Sequence, residues 1–183
     1  MANLYVYFIS SLPLLHFGSR APFSAQEFLQ RAQELIPSTD VAILRRSLVM
    51  GGDALEDTVA HPTLRKIAYA NRTLRNEIAK LRASRRHTDA ARYIRGEAYT
   101  QPACAVAALN AHRNPSILEG ELMLDAERWR LLDEIASGHY FDLDFLLTYI
   151  SKLCILQRWE GIHAAHGDEL LQEAVAGGAQ EKV

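Results

Sequence analysis

The segment FDLDFLLTYISKLCILQRWEGI, residues 141–162, constrains the fold more than any other stretch of this chain. On a helical projection Phe145, Leu146, Tyr149, Ile150, Leu153, Cys154, Leu156 and Trp159 cover most of the circumference. Polar residues are confined to a stripe through Asp144, Thr148, Ser151 and Arg158. A helix this apolar has to be covered, by other helices or by lipid. The run from Phe145 to Leu156 is interrupted by Thr148, Ser151 and Lys152 and is too short to cross a bilayer. The segment is therefore expected to start at an Asp142 cap and to be the central helix of a bundle.

The helices that surround it announce themselves by their ends. In PFSAQEFLQRAQELIP, Ser24 and Glu27 form a capping box, Phe23 and Phe28 a hydrophobic staple, and Pro37 a stop. A second helix follows over VAILRRSLVM and halts at Gly51-Gly52. Residues 51–61 form a polar, glycine-containing connection and the candidate hinge. Pro62 suits a first helical turn, and LRKIAYANRTLRNEIAKLRASRR follows it. There Leu64, Asn71 and Ile78 share one heptad position, and Ile67, Leu74 and Leu81 the other. A short helix is expected from Asp89 to Arg95, ended by Gly96. The small-residue segment TQPACAVAALNAHRNP would pack closely on its neighbours and end before Pro115. Ser116 and Glu119 repeat the capping box, and Gly138 ends that helix. GDELLQEAV reads as a separate short helix after a stop at Gly167, with residues 177–183 frayed. Residues 4–15 fit a short extended segment or the start of a buried helix equally well. The fold expected is all-α: one compact helical bundle of about seven helices over residues 1–176, with at most one N-terminal extended segment.

At 183 residues the chain can bury a core without metal or disulfide staples. Cys104 and Cys154 match no zinc or thioredoxin spacing and read as small buried hydrophobes of a reducing compartment. MANLYVYFISSLPLL has no positive charge before its apolar run and no small-residue cleavage pattern, so it is not read as a signal peptide. These features point to a soluble, cytoplasmic protein.

Charge is sorted along the chain. Residues 65–95 hold ten Lys/Arg and two acids, whereas residues 96–183 hold six Lys/Arg and fourteen acids, within a net charge of −2. The two blocks either face each other inside the fold or steer outside partners of opposite sign. A nucleic-acid surface would want aromatics between the cations, and only Tyr69 and Tyr93, besides His87, lie there; the acidic half would repel phosphates. A solvated helix face with local ion pairs is the plain reading. A protein-partner surface through Arg72, Arg75, Arg82 and Arg86, close to one face, is the sharper one. Lys152 lies within the apolar helix and is expected to snorkel or to pair with Asp125 or Glu134. Trp129 and Trp159 read as core packing.

Signals for catalysis are weak. His163 and His166 in HAAH share a helical side near Asp168 and Glu169, but a metal site needs a third ligand at fixed geometry. Favourable placement near a helix C-terminus explains them more simply. Asp142 and Asp144 are accounted for by a cap and a solvent-facing neighbour. GGDALED lacks calcium-loop spacing. No phosphate loop, H-E-x-x-H or G-x-S-x-G is present. The expectation is a non-enzyme with no catalytic residue, cofactor or metal.

Taken together, LYVYFISSLPLLHFG, PFSAQEFL, LRNEIAKLR, RWRLLDEI and FDLDFLLTYISKLCILQRWEGI resemble a family of small, mostly uncharacterised bacterial proteins encoded alongside rotary V/A-type ATPases. The resemblance runs from Leu4 to about Leu171. The last long helix, with Tyr149 and Lys152 before Trp159, is also distantly similar to a helix of the rotary ATPase C subunit, which joins the central shaft to the membrane ring. The resemblance implies a structural, coupling or assembly component of a proton- or sodium-translocating ATPase. Such a protein would dock to stalk or rotor-cap subunits and be peripheral to the membrane through that complex. It carries over Arg75, Asn76, Glu77 and Arg82 on the basic helix, and Trp129, Asp142, Tyr149, Lys152 and Trp159 on the C-terminal helices. The rival readings are a helical chaperone or maturation factor with a client peptide between its helices, and a metal-dependent hydrolase built on His163 and His166.

Overall fold

The computed structural model describes the backbone of residues 2–49, 61–96 and 101–180, with side chains over 4–48, 61–96 and 101–164. Among the described residues there are seven α-helices, one 3₁₀ turn and no strand. The helices are α1 (Ala2–Ser10), α2 (Ala25–Leu35), α3 (Ser38–Val49), α4 (Pro62–Arg85), α5 (Pro102–Arg113), α6 (Ile117–Ala136) and α7 (Leu143–Gln180). The protein is an all-α helical bundle. Apart from His61, the hinge expected over 51–61 lies outside the described residues.

The first half of α7 is its axis. Leu146, Leu147, Ile150 and Leu153 are completely buried. They pack in one core with Phe8 and Ile9 of α1, Phe28, Leu29 and Ala32 of α2, Val41 and Leu44 of α3, and Leu64, Ile67 and Ala68 of α4. Each of the larger of these side chains contributes roughly 1.5–3 kcal/mol through burial. The N-terminal segment is thus helical, not extended: Phe8 and Ile9 go inward while Leu4, Val6 and Tyr7 remain exposed. A second, smaller core joins Leu74 of α4, Cys104 of α5, and Leu124 and Leu131 of α6. The heptad seam of α4 therefore serves two cores, its first half facing α7 and its second half α5 and α6.

Both capping boxes form in their first half. The Ser24 hydroxyl accepts the Glu27 N–H at 3.0 Å, and the Ser116 hydroxyl accepts the Glu119 N–H at 3.3 Å. The Phe23 and Phe28 rings stack 6.4 Å apart. Asp142 caps α7 by accepting the Phe145 N–H at 2.9 Å. The small residues of α5 let α6 approach until a Cβ on Gly120 would lie 2.9 Å from the Ala111 carbonyl oxygen.

Away from the candidate sites, four sequence expectations change. The helix expected from Asp89 to Arg95 is only a 3₁₀ turn, Ala90–Arg92, because Asn76 captures the Arg95 backbone from both sides, at 2.9 and 3.1 Å. α7 does not stop at Gly167, so GDELLQEAV continues it. Thr148 leaves the polar stripe and is buried, its hydroxyl donating to the Phe145 carbonyl at 2.8 Å. Lys152 pairs with Asp133, not with Asp125 or Glu134, and lies 5.2 Å from the Trp129 ring centroid.

Candidate functional site

α4 ends in a run of cations. Arg82, Arg85 and Arg86, spaced i, i+3 and i+4, fall on one side of its last turn. The chain then turns sharply: His87 N–H donates to the Ser84 carbonyl at 3.1 Å and Thr88 N–H to the Ala83 carbonyl at 3.0 Å. This is the double hydrogen bond of a Schellman cap, with His87 in the left-handed region at φ 53°. The three arginines line a groove of about 760 Å³ whose opposite wall is the α5–α6 corner, with His112, Arg113, Ile117 and Glu121. Asn114 holds that corner by accepting the Ser116 N–H at 2.8 Å. Arg75, Arg82 and Arg86 also line an adjoining depression with Tyr93, Glu121 and Arg128.

Among the described residues, the acidic half does not neutralise this groove. Its carboxylates are occupied largely by cations of the same half: Asp125 by Arg128 and Arg158, Glu127 and Glu134 by Arg130, and Asp133 by Lys152. Glu121, the acid that shares the groove, lies 3.7 Å from Arg158. Arg82, Arg85 and Arg86 are exposed and make no ion pair among the described residues. Of the two arrangements open to the charge blocks, a wholly internal cancellation is therefore not what is found at the end of α4.

Three of the five expected partner-binding residues, Arg75, Arg82 and Arg86, thus come together. The other two do not. Arg72 turns toward the 88–96 segment: its guanidinium carbon lies 5.6 Å from the Tyr69 ring centroid, and its Nη1 fills the space a Cβ on Gly96 would need. Lys152 is engaged with Asp133 on another helix pair. Sequence reasoning missed Arg85, although its spacing from Arg82 was visible, and Arg113, which only the fold brings to the groove.

Trp129 and Trp159 are buried, as core packing requires. Trp159 donates its Nε1–H to Asp125 at 2.9 Å. His163 packs against the Trp159 ring, centroids 6.0 Å apart, while the His166 side chain lies outside the described residues. Since α7 runs on past both, a terminal dipole is not what holds them. Asp144 does not face solvent freely: it accepts the Thr63 hydroxyl and lies near His61 and His139. Burial pushes the Cys104 and Cys154 thiols up to about 11, so neither is a ready nucleophile at neutral pH.

A family model described as "Protein of unknown function (DUF2764)" matches residues 107–179. The match covers the end of α5, all of α6 and nearly all of α7, and α4 with its arginines lies outside it. No curated protein and no solved structure matches the chain. No helix among the described residues is long and apolar enough to cross a membrane.

Proposed function

We propose that this chain is a non-catalytic docking component, structural, coupling or assembly, of a bacterial V/A-type rotary ATPase, and that it binds an acidic surface of a stalk or rotor-cap subunit. The observation that carries the docking reading is the arginine-lined groove at the end of α4, which the chain's own acids leave largely uncompensated among the described residues. The assignment to the ATPase rests on the sequence resemblance. A cluster of guanidinium groups suits carboxylates of a partner, offering planar paired hydrogen bonds. Ile117 at the groove rim is 86% exposed, with Leu118, Leu122 and Met123 exposed along the same helix. Apolar residues beside arginines favour a protein partner over a bare phosphate backbone. ATP hydrolysis would belong to other subunits.

A client-binding chaperone would need a deep apolar groove. The wider apolar depression over Val106, Ala107 and Met123 is open and shallow, and the most enclosed cleft described, lined by Leu48, Leu64, Ile67, Leu131, Ile150 and Ile155 among others, measures about 250 Å³. That is below the roughly 300–1,000 Å³ of ordinary small-ligand pockets. Docking through a charged face is therefore preferred.

Affinity purification of the tagged chain from cells that express the ATPase tests the proposal. Stoichiometric ATPase subunits are expected with the wild-type chain. A large excess of free chain with transient, substoichiometric subunits would favour the maturation-factor reading, and complete absence of the subunits would remove the ATPase from the account.

A further inference from the structure

Apart from the arginine groove, the described residues hold one convergence of metal-ligating side chains: His139, Asp142 and Asp144 offer donor atoms within 4.8 Å of one another. His61 stands beside them, its Nδ1 lying 3.9 Å from Asp144 Oδ1. We propose that His139, Asp142, Asp144 and His61 form a binding site for a divalent first-row transition cation of the zinc type, which ties the start of α4 to the start of α7.

The donors come from three separate segments. His61 immediately precedes α4, His139 lies in the α6–α7 turn, and the two aspartates flank the first residue of α7. His139 Nδ1 is 2.7 Å from Asp142 Oδ2 and 3.7 Å from Asp144 Oδ2. With metal–ligand bonds of about 2.0–2.2 Å, the edges of a tetrahedral zinc site measure about 3.3–3.5 Å. These two separations bracket that value, whereas His61 stands outside the 4.8 Å set and has to swing further to supply a fourth ligand.

Each carboxylate is also held from behind. Asp142 Oδ1 accepts the Phe145 N–H at 2.9 Å, and Asp144 Oδ1 accepts the Thr63 hydroxyl. Both Oδ2 atoms are thereby turned toward His139. Outer hydrogen bonds that orient ligating oxygens are characteristic of built metal sites.

His61 supplies the independent observation. Its Nδ1 is buried and has no hydrogen-bond partner, although it faces a carboxylate. At 3.9 Å the gap is too long for a hydrogen bond. A buried nitrogen left without a partner is costly. A cation near Asp144 would give its lone pair one. Two imidazoles with two carboxylates suit zinc, iron, cobalt or nickel better than calcium or magnesium, which prefer all-oxygen shells. The positive end of the α7 dipole opposes a cation, but with a partial charge of roughly one half against two carboxylates. The rival arrangement is the His139 Nδ1–Asp142 hydrogen bond by itself, with no metal at all.

Equilibrium dialysis of the metal-stripped full-length chain against zinc chloride, read by elemental analysis, separates the two. One zinc per chain is expected. His139→Gln and Asp144→Asn are each expected to weaken binding at least about tenfold, and Thr63→Val by about tenfold through loss of the outer hydrogen bond. His163→Ala should bind as the wild type does, which separates this site from the HAAH pair. Cobalt added to the unaltered chain gives a readout that no variant's folding can confound: intense visible absorption is expected from four-coordinate nitrogen and oxygen ligation. The proposal is overturned if the wild-type chain takes up no stoichiometric metal, if cobalt shows only the weak spectrum of the hydrated ion, or if uptake persists in a folded His139→Gln, Asp144→Asn double variant.

Discussion

Among single residues, Asp125 has the most to lose. Its side chain is almost wholly buried and receives the Trp159 indole N–H together with Arg128 and Arg158. Removing the carboxylate strands the largely buried Arg128 guanidinium and an indole donor. Asp125→Ala is therefore expected to destabilise the fold by about 3–5 kcal/mol, as loss of one member of a buried ion pair does, read by urea denaturation. His87 has the opposite character. It occupies a left-handed position, φ 53°, that glycine adopts without strain, so His87→Gly should raise stability by about 1 kcal/mol in the same measurement. The buried thiols set a pH dependence. Cys104 and Cys154 are raised from an ordinary 9.0 to about 11, and Tyr149 from 10.0 to about 12, all chiefly by burial. Between the ordinary and the raised values the unfolded chain has released protons that the folded chain still holds. Stability is therefore full below pH 9 and falls as pH rises through 11. Denaturation midpoints measured from pH 8 to 11 should show that decline, and a Cys104→Ala, Cys154→Ala variant should show less of it.

At the scale of elements, packing between α5 and α6 depends on the absence of side chains. A methyl group on Gly120 would meet the Ala111 carbonyl oxygen at 2.9 Å, and a backbone atom cannot rotate away. Gly120→Ala is expected to cost about 1–3 kcal/mol despite its better helix propensity, measured as a lower melting temperature. The close approach was legible in ACAVAALNAH, as were the caps at Ser24, Ser116 and Asp142, because each is encoded within a few neighbouring residues. The misreadings have tertiary or cooperative causes. The segment 89–95 carries helical signals, but its backbone is taken by Asn76, nineteen residues before Arg95. A stop at Gly167 overstated glycine, which costs a helix only about 1 kcal/mol. Thr148 could enter the core because its hydroxyl is satisfied within its own helix. Lys152 meets Asp133 and not Glu134 because one residue along a helix is a rotation of about 100°.

At the scale of the whole molecule, α7 inside and α1–α4 around it follow from one apolar sequence segment. The site is only half visible in the sequence. The excess of cations over residues 65–95 could be counted, but not which of them the fold would satisfy. Arg72 turned to Tyr69 and Gly96, while Arg113 arrived from α5. His61 fell in a segment that reads as a connection, so its place beside Asp144 had no sequence signal. What remains exposed, Arg82, Arg85 and Arg86 along one edge of the bundle, is the edge proposed to dock an acidic protein surface. The most direct measurement compares recovery of ATPase subunits on the tagged wild-type chain with recovery on the triple Arg→Glu and triple Arg→Gln variants at these positions. Circular dichroism serves as the check on folding, since acids at a helix C-terminus cost about 0.3–1 kcal/mol each. Tenfold or greater loss is expected with glutamate and a smaller loss with glutamine; equal recovery on all three folded chains would rule out docking through this edge.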